Sequence, residues 1–167
     1  LHRHLVGEFG AGDRLRHVHF DDALPHGGGL RVLVVAAEQF ELDPIRKAVA
    51  SGGNTEYVFV ANGPGPRLAR RAVESAGPPA SFDAFVSVGL CGALDDGLGI
   101  AAIVVAEAVN GVRVAEFHAA VDMVRGPIAS VDYVAGTVEA KRRLRTTGAI
   151  AVEMEAAAVH EKALEAG

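Results

Sequence analysis

From residue 30 onward, apolar runs and amphipathic runs alternate along the chain. "LRVLVVAA" is rich in β-branched residues and continuous rather than alternating, as a strand buried on both faces must be. "DPIRKAVASGG" reads as a helix: Asp43 can cap it, Pro44 suits its first turn, and Gly52 or Gly53 can end it. "YVFVA" (57–61) is a second strand, and "NGPGP" a tight turn after it. In "RLARRAVESAG" the apolar positions 68, 69, 72, 73 and 76 share one helical face. "FDAFVSVG" is a third strand running into "LCGALDDGLG". "IAAIVVAEAV" is a fourth, with which "VRVAEF" can pair. "SVDYVAGTVEAKRRLRTTG" reads as a strand end, a helix capped by Thr137 and a stop at Gly148, and "AIAVEME" leads into a last helix.

This order predicts an α/β fold of three layers, a mostly parallel or mixed central sheet flanked by helices. Residues 30–167 form the domain. Residues 1–29 stand apart as an N-terminal segment of unknown role: they hold five of the seven histidines and end in the flexible "PHGGGL". His2/His4 and His17/His19 have a spacing that puts two rings on one face of a strand. No Cys or Glu ligand set accompanies them, so an accessory segment is expected rather than a metal site.

Composition narrows the partners. Half of the residues are apolar but only 5% are aromatic, so Val, Ala, Leu and Ile build the core. A net charge of −5 gives no reason to expect a nucleic-acid or anionic-membrane partner, and "KRRLR" (141–145) reads as the solvated face of a helix. One cysteine, Cys91, excludes an intramolecular disulfide framework. No apolar run is long enough to cross a bilayer, and the N-terminus carries no signal-peptide core, so a cytoplasmic protein is expected.

In parallel sheets ligands gather at the carboxyl ends of strands. Three such ends carry candidate chemistry: Glu38 and Glu41, the turn Gly89–Gly92, and Glu153 with Glu155. Gly89 and Gly92 allow a sharp turn that brings N–H groups to a ligand, or simply a tight connection. Cys91 lacks an evident histidine partner and reads as a small hydrophobe. "NGPGPRLA" has Leu68 where a dinucleotide fingerprint needs its third glycine and lacks the Gly-Lys-Ser/Thr of a P-loop, which removes a dinucleotide-dependent oxidoreductase. "AVEMEAAAV" is the strongest signal. Val152, Ala156, Val159 and Ala163 form one apolar stripe and Met154, Ala157 and Ala158 another, so two glutamates there need partners. A carboxylate can accept both hydroxyls of a ribose, with Met154 as an apolar floor; equally, glutamates favour the first turn of a helix. On the residues alone these readings stand level.

"AIAVEMEAAAV" resembles the box by which nucleoside phosphorylases and nucleosidases of the purine/uridine phosphorylase superfamily hold ribose, a superfamily that includes the methylthioadenosine/S-adenosylhomocysteine nucleosidases. "RVLVVAAEQFELDPIR", "VFVANGPGPRLA", "FDAFVSVGLCGALDDGLGIAAIVVA" and "ASVDYVAGTVEAKRRL" are similar to its other segments, in order, over residues 30–167. The resemblance implies that Glu155 binds the ribose hydroxyls, Met154 packs on the sugar and Glu153 supports them. It implies that Glu41, or as second choice Glu38, positions the attacking water. Gly89, Leu90 and Cys91 then line the nucleophile turn, and Tyr133 and Val134 the base.

The same resemblance implies a small-molecule nucleoside substrate, no cofactor, phosphate as the optional co-substrate, no metal, and a homo-oligomer, either a dimer or a trimer-based hexamer. The chain departs from the pattern in several places. Family members carry a further strand after the Glu-Met-Glu helix, ending in a Ser-Asp pair whose Asp protonates the leaving purine; the 167 residues end before it. The stretch 106–130 is short, Leu90 replaces a hydroxyl donor, and no arginine among Arg67, Arg113 and Arg125 stands out for phosphate. The expectation is a nucleoside phosphorylase or nucleosidase that cleaves the N-glycosidic bond of a purine nucleoside or thionucleoside, its sequence continuing past Gly167. The alternative is a catalytically impaired nucleoside-binding or interaction module of the same fold.

Overall fold

The computed structural model describes residues 3–8 as backbone, and residues 29–49, 54–116 and 121–166. The predicted stops Gly52 and Gly53, and His2, His17 and His19, lie outside the described residues. In chain order the elements are β1 (Arg3–Glu8), β2 (Arg31–Ala36), α1 (Gln39–Val49), β3 (Glu56–Ala61), α2 (Pro66–Ala76), β4 (Ala84–Ser87), β5 (Gly92–Ala93), β6 (Val104–Val109), β7 (Val112–Arg113), β8 (Val124–Ser130), α3 (Val138–Arg145), β9 (Ala151–Glu153) and α4 (Ala156–Leu164).

The continuous apolar run of β2 does what such a run predicts. Leu33 and Val35 pack on one face of the sheet against Ala69, Ala72 and Val73 of α2 and Ala158, Val159 and Ala163 of α4. Val32, Val34 and Ala36 pack on the other, with Leu42 of α1. Three layers result, with Leu33, Phe82 and Phe85 among the largest fully buried side chains.

The sheet is mixed. Its strands run β3-β2-β4-β1-β6-β8-β9-β5, with β7 paired to β6. β3, β2, β4 and β1 are mutually parallel, and so are β6, β8 and β9; the two groups meet antiparallel at β1 and β6. β5 pairs antiparallel with β9, yet β5 follows β4 in the same short run of chain. The path from β4 through β1, β6, β8 and β9 therefore returns to β4's own continuation, and this part of the sheet closes into a barrel. Val104, Ala106, Val109, Ile128 and Ala151 form its apolar filling, with Cys91, Leu98 and Ile150 against them.

Three features differ from expectation. The segment set apart at the N-terminus contributes β1, whose backbone lies between β4 and β6 in the middle of the sheet. β8, "VRGPIAS", carries Gly126 and Pro127, which argue against a strand by composition. The structure accommodates Pro127 where the β6–β8 register slips between Ala106 and Ala108, and Ile150 fills the space over Gly126. Finally, α1 begins at Gln39 rather than Asp43, leaving Pro44 inside it. The early turn is held by the side chain of Glu41, which accepts from the Glu38 amide at 2.8 Å, the reach-back half of a capping box.

Truncation of the ring that joins the sheet to its helical layer tests this packing. Phe85→Ala is expected to lower unfolding free energy by about 3–5 kcal/mol in urea titration. A loss below about 1 kcal/mol would show that the layer does not depend on it.

Candidate active site

Gly89 is the point at which the strand ends converge. It follows β4, and the Val88 amide still donates to Val35 of β2 (2.9 Å). On the β9 side, Gly92 pairs with Val152 and Ala93 with Ala151. That pairing leaves Cys91, the last residue of the turn, next to Glu153, the last residue of β9. Barrel closure thus places the Glu153–Glu155 end of β9 beside the 89–92 turn, although four strands intervene between β4 and β5 on the sheet path.

Glu41 enters from β2 and α1. Its Oε1 accepts from the Leu90 amide at 3.0 Å while its Oε2 holds the Glu38 amide. A Cβ on Gly89 would sit 3.1 Å from Glu41 Oε1, so a side chain there would press the carboxylate back by a few tenths of an ångström. Glu38 itself is exposed.

Glu155 is half-buried at the start of α4. Its Oε1 accepts from the amide of Gly65 at 2.5 Å and its Oε2 from the Met154 amide at 3.3 Å. Gly65 precedes the first residue of α2 with φ 96°, a left-handed conformation that glycine adopts without strain. The "NGPGP" stretch is the expected turn into a helix, and also the donor to Glu155. Met154 packs over the same loop, its Cε 3.8 Å from where a Cβ on Gly65 would lie. Burial holds the Glu155 carboxyl above its ordinary pKa, against the pull of the Gly65 and Met154 amides, and the charge of Glu41 adds to the rise.

Glu153 turns the other way. It is 6% exposed, and its Oε2 accepts from the amides of Glu155 and Ala156, both at 2.7 Å, satisfying the opening N–H groups of α4. Burial raises its pKa, outweighing the Ser130 hydroxyl and the two amides. Ser130 Oγ accepts from the Ala157 amide at 3.1 Å, and the Val131 amide donates to the Glu153 carbonyl at 2.9 Å, so the end of β8 is fixed to the same helix start. Glu153 is thus a positioning residue for the turn that presents Glu155.

Of the remaining sequence candidates, Leu90, Tyr133 and Val134 are exposed, on the turn after β4 and the connection after β8. Cys91 is half-buried against the barrel filling, as a small hydrophobe would be. Arg125 lies near the amino end of β8, five residues or about 16 Å of strand from Ser130. Arg67 is in the first turn of α2 and Arg113 on β7. Gly65 is the contributor that sequence reasoning missed. A glycine between two prolines before a helix marks an unusual backbone, but nothing local announces a partner 90 residues away.

The raised pKa of Glu153 fixes the sign of a pH effect. A carboxyl whose folded pKa lies above the usual 4.5 stabilises the fold while protonated and loses that contribution as pH rises through the folded value. Glu153→Gln does not titrate. The stability of the variant minus that of wild type is expected to grow in the variant's favour from roughly pH 4 to pH 7 in chemical unfolding. A constant or shrinking difference would contradict the assigned burial.

The sequence matches no protein-family model and no curated protein. Solved structures do match. The 5'-methylthioadenosine/S-adenosylhomocysteine nucleosidase of Helicobacter pylori superposes with a TM-score of 0.70 at 18% identity, covering 83% of this chain and 80% of that one. The S-adenosylhomocysteine nucleosidase of Streptococcus pyogenes, in complex with 5-methylthiotubericidin, gives 0.69 at 20% identity, over 84% and 80%. A futalosine hydrolase mutant of Helicobacter pylori gives 0.68 at 17% identity, over 81% and 80%. The α/β architecture described above is the fold of these nucleosidases.

Proposed function

We propose that the protein is a nucleosidase that hydrolyses the N-glycosidic bond of a purine nucleoside or thionucleoside. The observation that carries this reading is the pair of carboxylates, Glu155 and Glu41, each fixed by main-chain amides and close enough for their charges to interact. The resemblance of "AVEMEAAAV" to a ribose-holding box supports it. So does the likeness to solved structures that hold nucleoside analogues, such as 5-methylthiotubericidin.

A carboxylate offers about four acceptor sites. In Glu155 two are taken by Gly65 and Met154, which lock its orientation, and two remain for the O2' and O3' hydroxyls of a ribose. Met154 supplies the apolar contact under the sugar. Glu41 is held in the same manner by Glu38 and Leu90, with lone pairs left to orient a water toward the anomeric carbon. Cleavage passes through a ribosyl cation, which two nearby carboxylates stabilise more than they stabilise the neutral substrate.

The same electrostatics favour water over phosphate. The Leu90 amide, a natural donor to a phosphate oxygen, is already given to Glu41. A phosphate dianion at that amide would meet the Glu41 carboxylate, which already holds it. No cofactor or metal is needed for such a hydrolysis. The exposed Leu90, Tyr133 and Val134 support a homo-oligomer that covers the turn, and the single Cys91 suits a reducing cytoplasm.

A second reading, a nucleoside-binding module without turnover, is favoured by one observation. Glu41, Glu153 and Glu155 are all engaged as acceptors, and a departing base needs a proton donor. Release of base from adenosine, inosine and methylthioadenosine, with and without phosphate, separates the readings. Phosphate-independent release is expected, with Glu41→Gln lowering kcat by about 10²–10⁴-fold. Base release that requires phosphate would replace hydrolysis by phosphorolysis. Binding of adenosine with no release would leave the module.

A further inference from the structure

On the reading of Glu155 as the carboxylate that holds a sugar, on which this inference rests, the start of α4 must itself be kept in place. β6 and β8 run parallel as far as Val109 and Ile128. There β6 turns away into β7 through Asn110 and Gly111, whose φ angles of 49° and 82° are the left-handed pair that an Asn-Gly hairpin turn uses. β8 continues to Ser130, paired with Glu153 of β9 on one side and past the last residue of β6 on the other. A strand residue points its N–H and C=O to the same side, so Ser130 offers both to the gap that β6 leaves.

The side chain of Asn110 fills that gap. Its Oδ1 accepts from the Ser130 amide and its Nδ2 donates to the Ser130 carbonyl, both at 2.9 Å. The Asn110 amide donates to the Ile128 carbonyl at 3.1 Å. A carboxamide carries the donor and acceptor of a peptide group, so Asn110 extends the β6–β8 ladder by one residue after β6 has turned away.

Ser130 passes this hold to α4. Its Oγ accepts from the Ala157 amide at 3.1 Å, and the Val131 amide donates to the Glu153 carbonyl at 2.9 Å. Glu153 in turn holds the amides of Glu155 and Ala156. The consecutive amides of Glu155, Ala156 and Ala157 are thus fixed from the ends of β8 and β9, and the Glu155 carboxylate hangs from the first of them. Asn110 is exposed, so water can replace its two bonds at small cost in stability. Water does not set the position of Ser130 as two directed bonds do. We propose that Asn110 is a positioning residue for sugar recognition: its side chain clamps Ser130 and, through the Ser130 hydroxyl, sets the direction in which Glu155 offers its free lone pairs.

Asn110→Gly removes the clamp and leaves a residue at ease in the left-handed turn. Asn110→Asp keeps an acceptor for the Ser130 amide and loses the donor to its carbonyl. Calorimetry with adenosine and 2',3'-dideoxyadenosine gives the ratio of the two affinities, and urea titration gives stability. Asn110→Gly is expected to lower that ratio about tenfold while moving the urea midpoint little, with Asn110→Asp between it and wild type. In a Ser130→Ala background, which has already lost the bond to Ala157, the same substitution is expected to lower the ratio about threefold or less. A ratio unchanged in both Asn110 variants, with or without loss of stability, would make the clamp merely structural and overturn the assignment. So would a full tenfold loss in the Ser130→Ala background. Should Asn110→Gly fail to fold, Asn110→Asp decides by the same ratio. Wild type with no preference for the ribonucleoside removes the sugar reading of Glu155 and this assignment with it. Wild type that prefers it, with Asn110 variants that prefer it equally, removes the role of Asn110 alone.

Discussion

A carboxylate drawn half out of water has to be held, and the hold on Glu155 organises this molecule. The amide of Gly65 meets it at 2.5 Å from 90 residues away, and its own neighbour Met154 meets it from the other side. To keep it there, the chain buries Glu153 beneath it and lets that second carboxylate cap the opening amides of α4. Burial opposes both charges, so neither glutamate is favourable by itself. They persist because main-chain donors that would otherwise be orphaned at two helix starts are satisfied by them. The polarity of the site is thus paid for in the same hydrogen bonds that start α2 and α4.

The second constraint is topological. β4 and β5 are one stretch of chain with different neighbours: β2 and β1 along its first half, β9 along its second. The residues between the two halves, Val88 to Cys91, are where the flat part of the sheet turns into the barrel. A turn at such a junction exposes amides toward whatever lies above the sheet. Here Glu41 takes the Leu90 amide, with β1 paired up to Ser87 before the turn and β9 from Gly92 after it. The turn so placed holds Glu41 near enough to Glu155 for the two charges to interact.

Much of this was legible in the residues. The continuous run of β2, positions 69, 72, 73 and 76 of the α2 face, the Thr137 cap, whose Oγ1 accepts from the Ala140 amide at 3.1 Å, and the left-handed Gly148 after α3 are where pattern places them. The apolar stripes around Glu153 and Glu155 already require partners for both carboxylates, and both have them. What was missed has physical causes. β8 was hidden because Gly126 and Pro127 are poor strand formers, tolerated through a register slip. β1 was hidden because a short strand far from the others in sequence is fixed by its neighbours rather than by its own propensity. α1 starts before Asp43 because the Glu41 carboxylate caps it at Glu38, while Pro44, a residue favoured in a first turn, lies inside it. The pairing of Gly65 with Glu155 belongs to tertiary structure, and no local pattern encodes it.

The claim on which the rest depends is that the free acceptor sites of Glu155 receive a sugar's two hydroxyls. Calorimetric binding of adenosine and of 2',3'-dideoxyadenosine, to wild type and to Glu155→Gln, measures that contact as a coupling. Wild type is predicted to bind the ribonucleoside at least about a hundredfold more tightly than the dideoxy compound, as expected for two hydrogen bonds to a charged acceptor, and the variant to lose most of that preference. Equal discrimination by wild type and variant would contradict the account, because the hydroxyls would then be held elsewhere.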